Sequence, residues 1–368
     1  MAERFSVALL LVLLTIYLPA GEGISCRDES GKEVDWWIIY KLPKRDKDRR
    51  AGFERHSLEE FIYEGLAYAF ITSDHPSKYW SLSQLSIGDE KSMPGRTLAD
   101  LYKEDEGKNL FHVMYNDEHP HGPTSFTRGH TKGLVLGDSE DSIWFIHSVP
   151  HFPPFPNETY GYPHTGQLYG QSGICISTKS KDLDKIGKQL TFNNPLIYST
   201  FQPEWLEQYQ FMVKASHGRH IKKAPFYNTE ILKSKNGEVF TTFAKYTDFG
   251  KDLYADLVAP ALRVPLLVET WPNGRGKMNS SCEGPFIVEN VNEMDFPEIQ
   301  NDDFTTTHDH SKWAISLDKK RPFICIGDIN RMETQLKRGG GTACFRNYTV
   351  WKAFKKSIKD VETCPRSL

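Results

Sequence analysis

Two short stretches carry side chains that could act together on a phosphate group. His130 and Lys132 lie in GHTKG, and His310 and Lys312 lie in DHSKW, so each pair has the pattern His-x-Lys. Lysine binds phosphate as a point charge, a neutral histidine can attack phosphorus, and a protonated histidine can donate a proton to the leaving oxygen. Four groups that can be cationic form a poor metal site. The two pairs therefore predict cleavage of a phosphodiester without a metal ion.

Each pair is predicted to stand at the start of a β-hairpin. His130 is followed by a strand, an acidic turn and a second strand, and His310 by a strand, a charged turn and a second strand. Residues i and i+2 of a strand point to the same face, so each histidine projects together with its lysine. A duplicated unit paired about a pseudo-twofold axis would bring both pairs to one cleft, as a symmetric dimer does between two chains.

The rest of the chain indicates an α/β fold of mixed α+β character, built from two similar halves. Runs of β-branched and aromatic residues predict strands, and amphipathic segments predict helices. The predicted strands span 110–115, 133–136, 143–148, 173–177, 264–269, 312–317 and 322–327, and the predicted helices span 181–190, 203–214, 251–262 and 349–360. The turn-rich segment TFNNPLIYS near the middle places the halves at 24–192 and 193–368.

Residues 1–23 are predicted to be a secretory signal peptide. The apolar run SVALLLVLLTIYLPA is too short for a membrane anchor and precedes a cleavage region near Ala20 to Gly23. The alternative is a buried N-terminal helix. No second apolar run is long enough to span a membrane. Six cysteines, an even number, favour disulfides in a secreted chain, and the sequons at Asn157, Asn279 and Asn347 fit the same route.

The charge of the chain depends strongly on histidine protonation. The formal net charge is −3, and removal of residues 1–23 (Glu3, Arg4 and Glu22, net −1) leaves −2. All 13 histidines lie after this segment, so full protonation moves the formal charge from −2 to +11. Because histidine titrates near pH 6.5, the protein becomes cationic in an acidic compartment. The alternative is that several histidines are buried and do not titrate.

Longer motifs around these residues resemble those of the deoxyribonuclease II family. The resemblance runs from 34–43 to 351–354 and is carried by YNDEHP, RGHTKG, IHSVPHFP, GKQL, FAKYTDFGKDLY, DHSKW, IGDINR and RGGGTAC. It implies a phospholipase D-like fold, a pseudodimer in which each half supplies one His-x-Lys to a shared site. It also implies an acid endonuclease that cuts DNA without divalent metal or cofactor, leaves 3′-phosphates, and is lysosomal or secreted. Some starfish venom toxins belong to this family.

The resemblance also assigns roles to individual residues. His310 matches the family's best-established catalytic histidine, His130 its counterpart in the first half, and Lys132 and Lys312 the phosphate-holding lysines. Ser148 and Asn330 take equivalent places after the second hairpin strand of each half and are expected to be phosphate contacts. The implied disulfides are Cys26–Cys175, Cys282–Cys364 and Cys325–Cys344.

Weaker site candidates remain beside these. His308, Asp309 and His310 could form a metal cluster, although Lys312 beside His310 would repel a cation. His119, His121, His217 and His220 are interpreted as loop histidines that add positive charge at acid pH. The glycine run 339–341 either lets backbone approach a phosphate or forms a flexible loop.

Two other functions stay open. One is a phospholipase D-like hydrolase of lipid headgroups, which would use the same two pairs. The other is a secreted toxin related to deoxyribonuclease II that acts partly by binding DNA. The predicted partner is DNA, bound mainly through its phosphates, and both a monomer and a homodimer are compatible with the sequence.

Overall fold

The structure is a computed structural model that describes residues 23–45, 57–103, 110–298 and 303–365. The predicted signal peptide, 1–23, lies almost entirely outside the described residues and stays a prediction. None of the described helices is both long and apolar enough to cross a membrane.

The described residues form nineteen strands, most of them in two large sheets. In chain order these are β1 (Cys26–Arg27), β2 (Glu33–Val34), β3 (Trp36–Lys41), β4 (Tyr68–Thr72), β5 (Ser81–Leu82), β6 (Phe111–Asn116), β7 (Lys132–Gly137), β8 (Asp141–His147), β9 (Gln171–Lys179), β10 (Ile197–Phe201), β11 (Tyr227–Lys233), β12 (Val239–Lys245), β13 (Leu266–Thr270), β14 (Val288–Asp295), β15 (Asp303–Thr305), β16 (Lys312–Ser316), β17 (Phe323–Gly327), β18 (Gly340–Arg346) and β19 (Ile358–Glu362). All seven predicted strands are present within one to two residues of their expected bounds.

The two sheets repeat one arrangement of strands. The first has the order β10-β6-β7-β8-β9-β3-β4-β5, and the second, read in the matching direction, has β15-β14-β13-β16-β17-β18-β12-β11, with β19 beside β14. The orders match when β10 is aligned with β14, which leaves β15 as an extra edge strand. The hairpin β7–β8 then corresponds to β16–β17. Their registers agree as well, since Gly133 pairs with Ile146 and Trp313, at the same distance from its histidine, pairs with Ile326. The fold is therefore the predicted mixed α/β pseudodimer.

The match between the halves is incomplete at its edge. β10 is antiparallel to β6, whereas β14 is parallel to β13. The predicted boundary at residue 193 stays a prediction, and β10, which completes the first sheet, follows it by a few residues.

The main core lies between the two sheets and is built from alternate residues of their strands. On β7, Val135 faces this core while Leu134 and Leu136 pack on the outer face of the first sheet. On β16, Trp313 faces it and Ala314 packs outside. Both faces of each sheet are buried, which explains why the central strands are almost continuously apolar.

In the part of the chain that the structure describes, seven α-helices pack around the sheets: α1 (Ser57–Glu64), α2 (Met93–Leu98), α3 (Leu183–Asn193), α4 (Gln210–Ser216), α5 (Ala259–Leu262), α6 (Glu333–Leu336) and α7 (Tyr348–Lys356). α3 ends where Asn194 takes a left-handed conformation, and Gln189 on α3 donates to the Thr242 carbonyl of the other half at 2.8 Å. Asn347 caps the N-terminus of α7, since its side chain accepts hydrogen bonds from two backbone N–H groups of the first turn.

The predicted helix over 349–360 is wrong in its last turn. The helix ends at Lys356, and residues Ile358–Glu362 form β19 instead. The amphipathic pattern continued to Ile358, but pairing with β14 supplies backbone hydrogen bonds that outweigh helix propensity at a helix end. The segments predicted at 203–214 and 251–262 are helical but irregular, with a 3₁₀ turn at Glu204–Gln208 and a π-turn at Tyr254–Val258.

Three disulfides join Cys26 to Cys175, Cys282 to Cys364 and Cys325 to Cys344, which are the pairs that the resemblance implied. Of the three sequon asparagines, Asn157 and Asn279 are exposed. Asn347 is half-buried and uses its side-chain oxygen to cap α7, which leaves its amide nitrogen for a glycan. Glycosylation at all three stays a prediction.

The Cys325–Cys344 disulfide should stabilise the second half of the site. It links the neighbouring strands β17 and β18 and closes the connection that carries Asp328 and Asn330. A loop of 19 residues is constrained by this link, which is worth about 3 kcal/mol. The variant Cys325→Ser/Cys344→Ser is expected to lose about that much unfolding free energy in urea titrations. An unchanged urea midpoint would show that the link does not stabilise the fold.

Candidate active site

Backbone hydrogen bonds that cross between the halves bring the two triplets together. The N–H of His130 donates to the carbonyl of Gly339 at 2.9 Å, and the N–H of His310 donates to the carbonyl of Gly170 at 2.8 Å. Gly339 and Gly170 directly precede β18 and β9, which occupy matching places in the two sheets. Each histidine is therefore held by the half that did not supply it, as a pseudo-twofold axis through the site requires.

A second matched pair follows the hairpins. Asp328 comes directly after β17, and its carboxylate accepts from the N–H of Gly341 at 2.8 Å. Ser148 comes directly after β8, and its hydroxyl accepts from the N–H of Ser172 at 2.9 Å. The strand register thus makes Asp328, and not Asn330, the residue of the second half that is equivalent to Ser148. The expectation that Ser148 and Asn330 are equivalent is wrong by two residues.

The ring of His130 is fixed in one tautomer. Its Nδ1 lies 2.5 Å from the carbonyl oxygen of Asp328. Because a carbonyl can only accept, Nδ1 carries the proton and Nε2 keeps its lone pair when the ring is neutral. Thr131, between His130 and Lys132, points the other way and donates to the Asp328 carboxylate. The geometry leaves Nε2 of His130 available as a nucleophile.

His310 lies against two aromatic rings. Tyr169 stacks on it with ring centroids 5.2 Å apart and planes 12° apart, and Trp271 meets it at 3.9 Å and 62°. The Nε2 atom of His310 is buried and has no hydrogen-bond partner among the described residues. The two aromatic rings hold the imidazole in place. Nε2 is thus left for a group that arrives with a ligand.

Lys132 is buried in a cluster of opposite charges. Its ammonium donates to the carboxylate of Asp117 and lies 3.6 Å from Glu118, and Arg338 contacts the other oxygen of Asp117 at 2.8 Å. Burial alone would raise the pKa of Asp117, but the charges of Lys132, His130 and Arg338 outweigh it and hold that pKa below its usual range. Asp117 therefore stays ionised and balances part of the positive charge.

Lys312 is fully buried but has no ion pair among the described side chains. Its ammonium donates to the carbonyl of His310. Burial, followed by the nearby charge of Lys132, lowers the pKa of Lys312 to about 8. Two carboxyl groups, those of Asp309 and Glu269, are near enough to affect the pKa of Lys312. Asp309 accepts a hydrogen bond from Tyr40, and Glu269 accepts one from Ser311 at 2.7 Å. Lys312 is cationic below pH 8 and remains free to face a phosphate.

Both histidines resist protonation in the ligand-free protein. Burial, and then the charge of Lys132, lowers the pKa of His130 well below its usual value. Burial, and then the charge of Lys312, does the same to His310, and Lys132 and His130 of the other triplet also contribute. The four predicted residues therefore share one electrostatic site, in which the charge of each affects the others.

The two predicted phosphate contacts differ in their surroundings. Asn330 is buried, and its side-chain oxygen has no partner among the described residues. Ser148 is also buried, but its hydroxyl donates to Gln171 at 2.6 Å and accepts from Ser172. Asn330 can therefore bind a ligand without losing a hydrogen bond, whereas Ser148 holds the matched backbone in place. Both roles in phosphate binding stay predictions.

The alternatives for this region can now be placed. Asp309 is buried under Tyr40, whereas His308 is exposed beside Thr305 and Thr307. Within the described ranges, no three or more His, Cys, Asp or Glu side chains are arranged to hold a metal ion. The interpretation of the glycine run as a flexible loop is wrong, because residues 340–346 form β18. A Cβ at Gly339 would lie 2.2 Å from the Asn193 carbonyl, so glycine permits close contact between the halves.

Several residues at the site were not predicted as site residues. Asp117, Asp328 and Arg338 lie within motifs that carried the resemblance, so a signal was present although no role was assigned. Tyr169 and Trp271 gave no such signal, because lone aromatics on long connections have no distinctive spacing. Only the fold brings them against His310.

Comparisons with known proteins show the family of the chain. The sequence profile of the Deoxyribonuclease II family matches residues 25–364. Deoxyribonuclease-2-beta of Homo sapiens is 38% identical over 371 residues, covering 98% of this chain and 97% of the relative. Plancitoxin-1 of Acanthaster planci is 36% identical over 363 residues and 98% of both chains, and deoxyribonuclease-2-alpha of Rattus norvegicus is 34% identical over 360 residues, 96% of this chain and 98% of the relative. The chain belongs to the deoxyribonuclease II family.

Proposed function

We propose that the protein is an endonuclease that hydrolyses phosphodiester bonds of double-stranded DNA at acid pH without a divalent metal, leaving 3′-phosphate and 5′-hydroxyl ends. The observation that carries the proposal is the reciprocal crossing of the triplets, in which each half holds the histidine of the other. The site then contains two histidines with distinct surroundings and two buried lysines. These groups supply a nucleophile, a proton donor and positive charge for one phosphodiester.

Cleavage proceeds in two balanced steps. Nε2 of His130 attacks phosphorus and forms an N–P bond while the P–O5′ bond breaks, and protonated His310 gives its Nε2 proton to the departing oxygen. Neutral His310 then takes a proton from water, whose oxygen attacks phosphorus as the N–P bond breaks. The electron pair returns to His130, and the 3′-phosphate is released. Lys132 and Lys312 stabilise the negative charge on the five-coordinate phosphorus.

The tautomer of His130 favours this division of roles. Its Nδ1–H donates to the Asp328 carbonyl, so its lone pair is on Nε2. The ring of His310 packs against Tyr169 and Trp271, and its Nε2 has no hydrogen-bond partner among the described residues, so a protonated Nε2 is available to donate to the departing oxygen. In the reversed assignment, His310 would be the nucleophile. Trapping the phosphorylated protein in acid-free denaturant and locating the phosphate by peptide mapping distinguishes the two.

The rate is expected to peak well below pH 6.5. Both histidines have lowered pKa values, so the state with one neutral and one protonated ring is most populated on the acid side of histidine's usual range. Burial raises the pKa of Asp328 to about 7, so this carboxyl is neutral at pH 5 and repels phosphate only above neutrality. Lys312 loses its charge above about pH 8. All four shifts favour acid, and an optimum near pH 5 is expected.

Plasmid nicking across pH 4 to 9, in EDTA and in Mg²⁺, measures this profile. Equal rates in the two buffers are expected, because the lysines take the charge-stabilising role of a metal. The 5′ ends of the products should accept label from polynucleotide kinase without prior phosphatase treatment. A maximum at pH 8, or activity that disappears in EDTA, would contradict the proposal.

DNA is expected to be recognised through its phosphates. The site residues are lysines, histidines and backbone groups, which contact phosphate and carry no base information directly. Cleavage should therefore show weak sequence preference and a strong salt dependence. The preference for DNA over RNA rests on the family alone. A cleavage map dominated by one short sequence would contradict phosphate-based recognition.

The similarity to plancitoxin-1 keeps a second function in view, that of an exported toxin. The lysosomal or secreted location follows from the predicted signal peptide and the family. A toxin that acts by binding would retain toxicity after His310→Ala, whereas a nuclease would lose it. A lipid hydrolase would release headgroups from phosphatidylcholine vesicles at pH 5.

A further inference from the structure

A cavity of about 640 Å³ lies in the first half, outside the site described above. It is bounded by residues 120–121 on one side and by residues 151–165 on the other. Its walls combine three prolines and Tyr162 with the polar side chains of His121, His151, His164 and Glu158. Nothing in the proposed mechanism uses these residues.

The topology places this cavity at the catalytic end of the first sheet. Residues 117–131 connect β6 to β7, and residues 148–170 connect β8 to β9. Both connections therefore emerge from the end at which β7 begins with Lys132. The backbone N–H of His151 donates to the carbonyl of Glu118 at 2.6 Å, and the Glu118 carboxylate lies 3.6 Å from Lys132. One residue thus separates the cavity wall from the catalytic lysine.

Two of the histidines are held in an unfavourable backbone conformation. His121 has φ of 60° and His151 has φ of 55°, in the left-handed region. A residue other than glycine there costs on the order of 1 kcal/mol and persists only where its surroundings fix it. The surroundings do so here, since His151 Nδ1 donates to the His119 carbonyl at 2.9 Å. This leaves Nε2 of His151 as its ligand-binding atom.

A second cavity, of about 590 Å³, continues the first. The two share His164, and the second is lined by Lys44, Arg45 and Glu64 among others. Its floor includes Gln167, whose carbonyl accepts from Lys41 at 2.6 Å. Lys41 ends β3, which pairs with the first residue of β9, so this cavity also lies at the catalytic end. The two cavities meet at His164 and are together called the groove.

The charges facing the groove become more positive as the pH falls. His121 is paired with Glu158 at 2.7 Å, and this pair is close to neutral when the histidine is protonated. His151 lines the same cavity as Glu158 and donates its backbone N–H to the Glu118 carbonyl, and His164 lines the second cavity together with Lys44, Arg45 and Glu64. Histidine side chains in general gain a proton below about pH 6.5. A histidine that takes up a proton in the groove therefore adds to the positive charges of Lys44 and Arg45, which line it as well.

We propose that this groove binds the DNA backbone next to the cleaved bond, with His151 and His164 each contacting one phosphate in their protonated form. The inference rests on the proposed nuclease function and adds to it the path of the substrate. The histidines, Lys44 and Arg45 of the groove suit an anionic ligand at acid pH. Its proline and tyrosine walls suit the apolar surfaces of deoxyribose and bases.

The test compares wild type with His151→Gln/His164→Gln, which keeps polar side chains but removes their charge. Binding of a phosphorothioate-substituted duplex is measured by fluorescence anisotropy over a range of salt concentrations at pH 5 and pH 7.5. Each lost phosphate contact reduces the slope of log K against log salt by about one. The double variant is expected to lose about two from the slope at pH 5 and almost nothing at pH 7.5.

Two controls make the result specific. His75, exposed in the connection after β4 at the opposite end of the first sheet, is replaced in His75→Gln, which should leave the slope unchanged. Hydrolysis of bis(p-nitrophenyl) phosphate, which is too small to reach the groove, should be unaffected in the double variant. His164→Gln alone changes an exposed residue and covers the case in which the double variant does not fold.

The outcomes separate the two proposals. An unchanged slope at pH 5 in a protein that still cleaves DNA overturns the groove and leaves the nuclease intact. Wild-type protein that neither binds nor cuts DNA at pH 5 overturns the nuclease function itself. An equal loss of slope in His75→Gln would show that only overall charge matters, which also overturns the groove.

Discussion

His310→Ala and His130→Ala are each expected to lower kcat for DNA cleavage by about 100-fold or more. Removal of a positioned acid or base costs roughly this factor. The histidines cannot replace one another, because His130 is fixed with its lone pair on Nε2 by the Asp328 carbonyl. His310 lacks that bond and instead packs against Tyr169 and Trp271. The measurement is the initial rate of plasmid nicking at pH 5.

The double variant is expected to lose little more activity than the worse single one. Residues that act as a unit give strongly non-additive losses, because the second removal finds no function left to disrupt. His308→Ala is the matched control, since His308 lies two residues from His310 but is exposed outside the site. If His130→Ala cut DNA at near the wild-type rate while His310→Ala was inactive, a site shared by both halves could not be correct.

The sequence was sufficient to predict that the two triplets meet, because their residues repeat in matched local settings. His130 and His310 each precede a strand, a charged turn and a second strand, and local patterns of this kind survive folding. The central strands could be located because they are buried on both faces and hence continuously apolar. Long-range duplication then implied that the two triplets meet.

Other features depended on contacts between distant segments. The crossing bonds from His130 to Gly339 and from His310 to Gly170 join residues that no local pattern relates. The same is true of Asp328, whose match to Ser148 emerges only from strand register. The strand β19 was mistaken for the end of a helix because its pairing partner, β14, lies more than sixty residues earlier. Long-range pairing decides such segments, and local propensity does not.

The surroundings of the two histidines differ at the matched positions Asp328 and Ser148. Asp328 presents its carbonyl to His130, and its carboxyl holds Thr131 in the same triplet. Ser148 makes only the matched backbone bonds and a bond to Gln171. A duplicated unit would otherwise treat both histidines alike. The proposed mechanism uses this difference in surroundings when it assigns the nucleophile to His130 and the acid to His310.

Lys312→Met is expected to lower kcat by about 10²- to 10³-fold, the cost of losing one charged group aimed at transition-state charge. Lys132 is balanced by Asp117, whereas Lys312 has no ion pair within the described residues and so presents more net charge to phosphorus. Methionine keeps the length and the apolar stem. The effect on kcat should therefore exceed that on KM.

The same variant should also move the pH optimum upward. The charge of Lys312 lowers the pKa of His310 and, to a smaller extent, that of His130. Its removal lets both rings take up protons at higher pH, so the state with one proton is most populated at higher pH than in wild type. Lys245→Met is the control: Lys245 is also buried, with its ammonium bound by three backbone carbonyls, and its loss should reduce stability without moving the optimum. A residual activity of Lys312→Met that peaks at the wild-type pH would show that Lys312 supports the fold and does not share the site's charge.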